Sequence, residues 1–420
     1  MNPMHRISPT HRNAIFWICY ALLLAVLPWI FPGALGLSVL SQMAYLSIAC
    51  LSYNLLLGYG GMLSFGHAIY TGAGSLAVIH LLRATNQGLV MLPVSLLPMA
   101  GGLAGGLVAA LLGWVATKKA STAFAMITFG LGELCWALSL LLPEYFGGDG
   151  GLSADRVTGP VVGALTWGPQ TQLYGLIAVY AFTCTALMFA FLQTPFGRML
   201  QATRDNAARV EFLGYDAHRV RYGAFVVSGL FAGIAGGLAA LNFELVSSEA
   251  FSSMNSGVYL LFTYVGGTGA FFGPIIGAVL MTLATVLLST VTKAWLLYIG
   301  LFFIVTVMYL PGGIAGLFEG LVRAARAGRL ARAVPWSCVA ALAMATALVA
   351  GGAGIEMLYH RLDAEASTGR FDYFGVTLDA VSAPLLACSL ALAAAALAAF
   401  AAARRRVVWR LAERTPEGAK

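Results

Sequence analysis

The sequence predicts an all-α polytopic membrane protein, and three observations carry that prediction. Of 420 residues, 60% are hydrophobic and only 10% are charged, against roughly 25% charged in an average soluble protein. Mean hydropathy is +0.83. The apolar residues gather into runs of span length, separated by short polar segments. A soluble globule of this size needs a polar skin that the composition cannot supply. A soluble enzyme, a nucleic-acid-binding module and a disordered chain are therefore excluded, and the lipid bilayer is the expected surrounding.

In chain order the runs lie near 14–32, 35–57, 61–82, 89–116, 121–142, 171–192, 222–242, 254–268, 271–291, 294–310, 334–354 and 383–403. Most are long enough to cross a hydrocarbon layer of ~30 Å as a helix. The exception is 254–268, too short for a regular crossing. It reads as tilted, broken or re-entrant, which is allowed only where protein covers its backbone. The first run follows a basic start, as in a secretory leader, but the spans behind it make a retained signal-anchor the better reading. The last two runs are rich in alanine, which is only weakly lipophilic.

Charge sets the sidedness. The formal net charge is +7, from 24 basic and 17 acidic residues. Of the 24 bases, 19 fall in five clusters: Arg6 and Arg12; Lys118 and Lys119; Arg198, Arg204, Arg209, Arg219 and Arg221; Arg323, Arg326, Arg329 and Arg332; and Arg404, Arg405, Arg406, Arg410, Arg414 and Lys420. The positive-inside rule places all five, and both termini, in the cytoplasm. Segments 143–170, 243–256 and 355–382 are acidic by comparison and are expected outside. The parity is the same whether 254–310 crosses once or three times.

Several chemistries find no residues to carry them. There is no GxxxxGK[ST], GxGxxG or HExxH pattern, so no nucleotide cradle and no zinc-protease helix. The six cysteines stand singly, which predicts neither a disulfide framework nor a metal site. No catalytic constellation and no bound cofactor is expected. Glu133 is the single acid within a span. An ion-coupled carrier keeps several intramembrane ionisable groups, although sodium sites built from carbonyls need none. Uphill transport would then draw its energy from another subunit.

Residues 195–221 read PFGRMLQATRDNAARVEFLGYDAHRVR. Pro195 suits a helix start and Gly214 a helix end. The segment is too polar to span and too short to be a domain. From composition it is either a solvated loop or a short helix that docks on a cytoplasmic partner.

The string GRMLQATRDNAARVEFLGYD resembles the coupling-loop motif of permease subunits of branched-chain amino acid ABC transporters, the LivM-type group. NLLLGYGGMLSFGHAIYTGAGSLA (54–77), FGGDGGLSADR (146–156), VGGTGAFFGPIIGAVL (265–280) and YLPGGIAGL (309–317) are similar to further motifs of that family, in the same order. The resemblance implies an importer permease core of about ten helices over 35–317. Residues 1–34 precede it as a cytoplasmic N-terminus and first transmembrane helix. A basic cytoplasmic linker (318–333) follows, then a C-terminal extension (334–420) with two extra transmembrane helices and a basic tail. That extension departs from the family, most members of which stop near 317 or continue into an ATPase.

The same resemblance implies a non-catalytic subunit. ATP and Mg would sit on two cytoplasmic ATP-binding subunits, beside a second permease subunit and a periplasmic solute-binding protein, at a bacterial inner membrane. The solute implied is a branched-chain amino acid, or a related small amino acid or amide such as urea. A stand-alone channel or ion-coupled secondary transporter is the alternative. Matched by position, the ATPase-coupling loop comprises Gly197, Arg198, Arg204, Asp205, Asn206, Arg209, Glu211 and Gly214. Ala207 departs from the pattern, where the family usually has Glu.

Six residues are candidates for the translocation pathway: Asn54, Gly60, Ser64, His67, Thr128 and Glu133. Glycines within spans permit close packing or a helix break, and freed backbone groups can line a solute path. For Asn54 and His67, pathway polarity and polar packing stand level. Glu133 reads as a structural partner of a helix break or as a solute contact. Gly229, Gly233, Gly236 and Gly237 have the small-xxx-small spacing of tight helix packing, within the chain or at a subunit interface.

Overall fold

The computed structural model describes residues 9–119, 121–157, 166–310, 312–326, 339, 342–343, 346–347, 349–359, 370–373, 376–379 and 382–412. The linker from 327 onward, about half of the expected span 334–354 and the tail beyond 412 lie outside them. The apolar runs become helices: α1 (Pro9–Ile30), α2 (Ala34–Asn54), α3 (Ala68–Asn86), α4 (Leu97–Ala116), α5 (Thr122–Leu141), the short α6 (Pro143–Phe146), α7 (Gln170–Gln193), α8 (Pro195–Asp205), α9 (Ala207–Phe212), α10 (Ala217–Phe243), α11 (Ser253–Gly266), α12 (Gly273–Val291), α13 (Trp295–Tyr309) and α14 (Gly313–Arg326). A last helix runs Ala383–Ala412. The strands among the described residues form two small antiparallel pairs. The chain is an all-α polytopic membrane protein.

Seven described helices are long and apolar enough to cross a membrane, while α1 and α13 hold shorter apolar stretches, Trp17–Ile30 and Trp295–Met308. The expected run at 61–82 does not form one span, since α3 starts only at Ala68. α3 also carries His80, Arg83 and Asn86, which lower its hydropathy. α10 begins at 217 rather than 222, because Asp216 caps it by accepting from His218 N and Arg219 N. The short segment 254–268 is a helix of 14 residues, α11, stopped at Gly267 with φ 110°.

Glycine builds the centre of the bundle, where α3, α4 and α10 meet backbone to backbone. A Cβ added to Gly74 would lie 2.1 Å from the Gly233 carbonyl oxygen, and one on Gly236 would lie 1.9 Å from that of Thr71. Gly105 faces Gly229 at 2.6 Å in the same sense. The small-residue stripe of α10 therefore packs inside the chain, not at a subunit interface. Ser75 Oγ adds a hydrogen bond to the Gly236 carbonyl at 2.8 Å.

The two acidic connections lie on one face, because Leu152–Ser153 pairs with Leu245–Val246. The Lys118 turn and the central basic loop share the opposite face, where the His218 ring bonds the Trp114 carbonyl at 3.2 Å.

Two compact units can be distinguished. One comprises residues 1–283 and 311–315, the other 284–310 and 316–420, so α13 groups with the C-terminal residues. Within the second unit Glu356, expected in the external acidic stretch, is instead 6% exposed. Its carboxylate accepts from Thr292 Oγ1 and from Tyr298 OH, and such hydroxyl donors are what allow a carboxylate to be buried. Glu356→Ala orphans the Thr292 hydroxyl and is expected to cost about 2 kcal/mol. A lowered unfolding midpoint of the purified chain would register it.

Candidate functional site

The site is built where α2 fails to continue. Past Asn54 the helix widens into a π-turn, Leu55–Tyr59, a device often found at functional positions. Gly61 then takes φ +65°, and residues 61–66 run without helix to His67. A broken backbone inside a bundle needs substitute partners, and four elements supply them. Phe65 N donates to Thr128 Oγ1 of α5 at 3.2 Å. Tyr53 OH donates to the Ser64 carbonyl at 2.9 Å. Ala68 N donates to Ser256 Oγ of α11 at 3.0 Å. Ser228 Oγ of α10 donates to the Ser52 carbonyl at 2.6 Å, and Ser52 Oγ meets His67 Nε2 at 2.9 Å.

The structure therefore brings Asn54, Gly60, Ser64, His67 and Thr128 together around one break, with Asn54, Ser64, His67 and Thr128 each at most 1% exposed. In this structure they are packed inside the bundle. The packing is incomplete in hydrogen-bond terms. Both side-chain polar atoms of Asn54, Ser64 Oγ, His67 Nδ1 and Tyr70 OH are buried without a partner among the described residues, and each such atom costs ~1–3 kcal/mol. The His67 ring lies among those of Tyr53, Tyr70 and Tyr259, with centroids 5.1, 5.8 and 6.1 Å away.

Glu133 is not part of this cluster. It sits about halfway along α5, half-buried, one residue beyond Gly132, which abuts Gly66. It makes no ion pair among the described residues. A cavity of about 750 Å³ lies elsewhere. It is an apolar groove between α1 and α7, lined by Leu24, Pro28, Trp29, Tyr174 and Phe182 among others.

Directly beneath the break lies the basic loop, folded as two helices rather than the expected single one. Thr194 caps α8 by accepting from Gly197 N at 3.2 Å, and Pro195 opens it. Gly197 is needed because a Cβ there would meet the Leu192 Cα at 2.6 Å. Asn206 is extended (φ −160°, ψ 99°), ending α8, and its Oδ1 accepts from Arg209 N to start α9. Gly214, at φ +86°, closes α9, and its N–H donates to the Glu211 carbonyl at 2.9 Å. Arg198, Asp205, Asn206, Arg209, Glu211 and Gly214 are exposed on this loop. Arg204 is exposed as well, but its guanidinium reaches back and donates to the Gly58 carbonyl in the π-turn.

Charge-based reading of the loop misses its apolar tip. Phe212, Leu213 and Tyr215 are 91%, 67% and 53% exposed. The available signal was three large apolar residues closing an otherwise polar segment. Also missed is Arg156 on the opposite face. Its guanidinium donates to the carbonyls of Trp167, Leu241 and Gly168 and to Gln170 Oε1, at 2.8–3.2 Å, and it pairs with Glu244 at 3.4 Å. Its sequence signal was a lone base in an acidic segment.

The family model for the permease component of branched-chain amino acid transport systems matches residues 35–311, which contain the break, the two-helix loop and α11. The chain is 26% identical over 329 residues to the high-affinity branched-chain amino acid transport system permease protein LivM of Escherichia coli (strain K12), covering 73% of this chain and 75% of that one. Identity to the LivM protein of Salmonella typhimurium is 26% over 318 residues, 70% and 73% of the two chains. A shorter similarity, 31% over 106 residues, links it to the autoinducer 2 import system permease protein LsrC of Photorhabdus laumondii, covering 23% and 31%. No solved structure matches. The chain belongs to the family of permease components of branched-chain amino acid transport systems.

Proposed function

We propose that this permease is the membrane gate of an ATP-driven importer of branched-chain amino acids in a bacterial inner membrane. It works with a second permease subunit, two cytoplasmic ATP-binding subunits that carry ATP and Mg, and a periplasmic solute-binding protein. Both of its termini are cytoplasmic, and it performs no catalysis itself. The supporting observation is the loop 194–216, capped at Thr194, Asn206 and Asp216, which presents Phe212, Leu213 and Tyr215 to solvent. Exposed aromatic and aliphatic side chains on a rigid polar element are the signature of a docking surface. Closure of the ATP-binding subunits displaces this loop, and the break above it lies in the direct line of that displacement.

The test is reconstitution. The chain, co-expressed with its permease and ATP-binding partners, is expected to hold both through purification. Proteoliposomes are expected to accumulate leucine, isoleucine or valine only with ATP and the solute-binding protein. Full transport by this chain alone, without ATP, would establish a channel or carrier instead. Replacing Phe212 by Asp is expected to release the ATP-binding subunits, as loss of a central aromatic anchor costs ~2 kcal/mol or more.

A further inference from the structure

Arg204 occupies an unusual position for a docking-loop residue. It is an exposed residue of the loop, but its guanidinium donates to a carbonyl of the bundle, that of Gly58. Its stem lies over Gly61, where an added Cβ would meet Arg204 Cγ at 2.9 Å. One turn earlier, Leu200 is fully buried and lies against Gly60, 3.3 Å from the position of a Cβ there. α8 therefore grips the break at three glycines: the carbonyl of Gly58, the face of Gly60 and the face of Gly61.

Gly58 has a second set of neighbours on its other side. A Cβ there would lie 2.2 Å from Asn54 Oδ1 and 2.6 Å from the Thr268 carbonyl oxygen. Asn54 is the residue whose two amide atoms are buried without partners. Thr268 follows Gly267, which ends α11 and in turn abuts the Gly312 carbonyl at 2.3 Å by the same measure. One backbone unit thus touches the loop, the polar break and the end of α11.

A π-turn is suited to such a junction. Its carbonyls are not held in the regular ladder, and it can revert to an α-turn by a shift of one residue in hydrogen-bond register. Guanidinium is also suited, because its donors lie in a fixed fork that holds an oxygen in direction as well as distance.

We infer that Arg204 is a positioning residue that clamps the π-turn Leu55–Tyr59 to the docking loop, so that displacement of α8 is delivered at Gly58 to Asn54 and Thr268. This inference rests on the importer reading and names the point at which the loop acts on the membrane part. Arg204 is not a contact with the ATP-binding subunit; Phe212, Leu213 and Tyr215 hold that role.

The two roles separate by experiment on the assembled complex in proteoliposomes. Arg204→Met keeps the stem over Gly61 and removes the donors. It is expected to retain the ATP-binding subunits and to hydrolyse ATP at a near wild-type rate, while leucine uptake falls about tenfold, the effect of losing one charge-assisted hydrogen bond. Arg204→Lys, with a single point donor, is expected to recover part of the uptake. Amide exchange over 55–61 is expected to accelerate in Arg204→Met and to return toward wild type in Arg204→Lys. Unchanged uptake in Arg204→Met, or loss of the ATP-binding subunits from it, would overturn the inference and leave the importer reading standing. A wild-type chain that holds no ATP-binding subunit would overturn that reading instead. Exchange at 55–61 is read on the chain itself, and unaltered exchange there in Arg204→Met would overturn the clamp as well.

Discussion

Gly236→Ala is expected to eliminate folded protein from the membrane. The new Cβ would lie 1.9 Å from the Thr71 carbonyl oxygen and 2.6 Å from the Thr71 carbonyl carbon. Both belong to the backbone of α3, so no side chain can swing aside. The helices must separate, and separation also breaks the Ser75–Gly236 hydrogen bond and the contact of Gly74 with Gly233. Overpacking of this kind costs more than ~4 kcal/mol, a large part of the ~5–15 kcal/mol that holds a typical protein folded. Gly74→Ala should behave alike. Gly175→Ala and Gly257→Ala are the controls, since nothing lies within 4 Å of a Cβ at either position. There alanine should be neutral, or stabilising by up to ~1 kcal/mol through helix propensity. Monodisperse protein recovered from membranes is the measurement. Wild-type recovery of Gly236→Ala would mean that α3 and α10 do not meet at backbone distance.

Arg156→Lys is expected to be nearly as damaging as Arg156→Ala. The Arg156 side chain is 10% exposed and Glu244 is 35% exposed, so solvent screens the ion pair and its own contribution is small. The larger contribution comes from the guanidinium donors directed at three carbonyls and one side-chain amide. An ammonium group cannot reach four acceptors spread in a plane. Removing the fork leaves buried acceptors unpaired, at ~3–5 kcal/mol in total. Arg156 ties residues 167–170 to the end of α10, so the loss should appear locally before it appears globally. Protease added to the purified chain should cut the acidic connection within 143–157 faster in the variant than in the wild type. If the ion pair were the main contribution, Arg156→Lys would resist the protease.

Most of the helices were legible because apolar runs and their polar separators report burial in lipid directly. The helix of 254–268 was legible as too short, since length is counted in residues. Its end was legible too, because Gly267 adopts a φ that other residues avoid. The break at 60–67 was not legible as a break. Residues 61–82 are apolar or small apart from two histidines and a tyrosine, and hydropathy does not distinguish a helix from an extended segment sealed by neighbours. Its sealing groups, Thr128, Ser228 and Ser256, are 60 to 190 positions distant by number, and no local pattern points to them. The docking loop was legible as a motif with the helix signals Pro195 and Gly214. Its division at Asn206 was not, because the same asparagine can cap a new helix or sit in an old one. Glu133 was legible as an anomaly, and the structure leaves it apart from the break. Arg204 shows the limit most clearly: among five bases in one basic segment, composition cannot say which one turns inward.

Backbone-on-backbone packing has a mechanical corollary. Where α3, α4 and α10 touch through Gly74, Gly101, Gly105 and Gly233, no compressible side chains lie between them to absorb strain. Three rods joined in this way tilt as one plate. Whatever alternation the molecule performs is therefore borne at the plate's margins, where α5 and α11 meet the sealed bend, and the stiff middle serves as the fulcrum against which they swing.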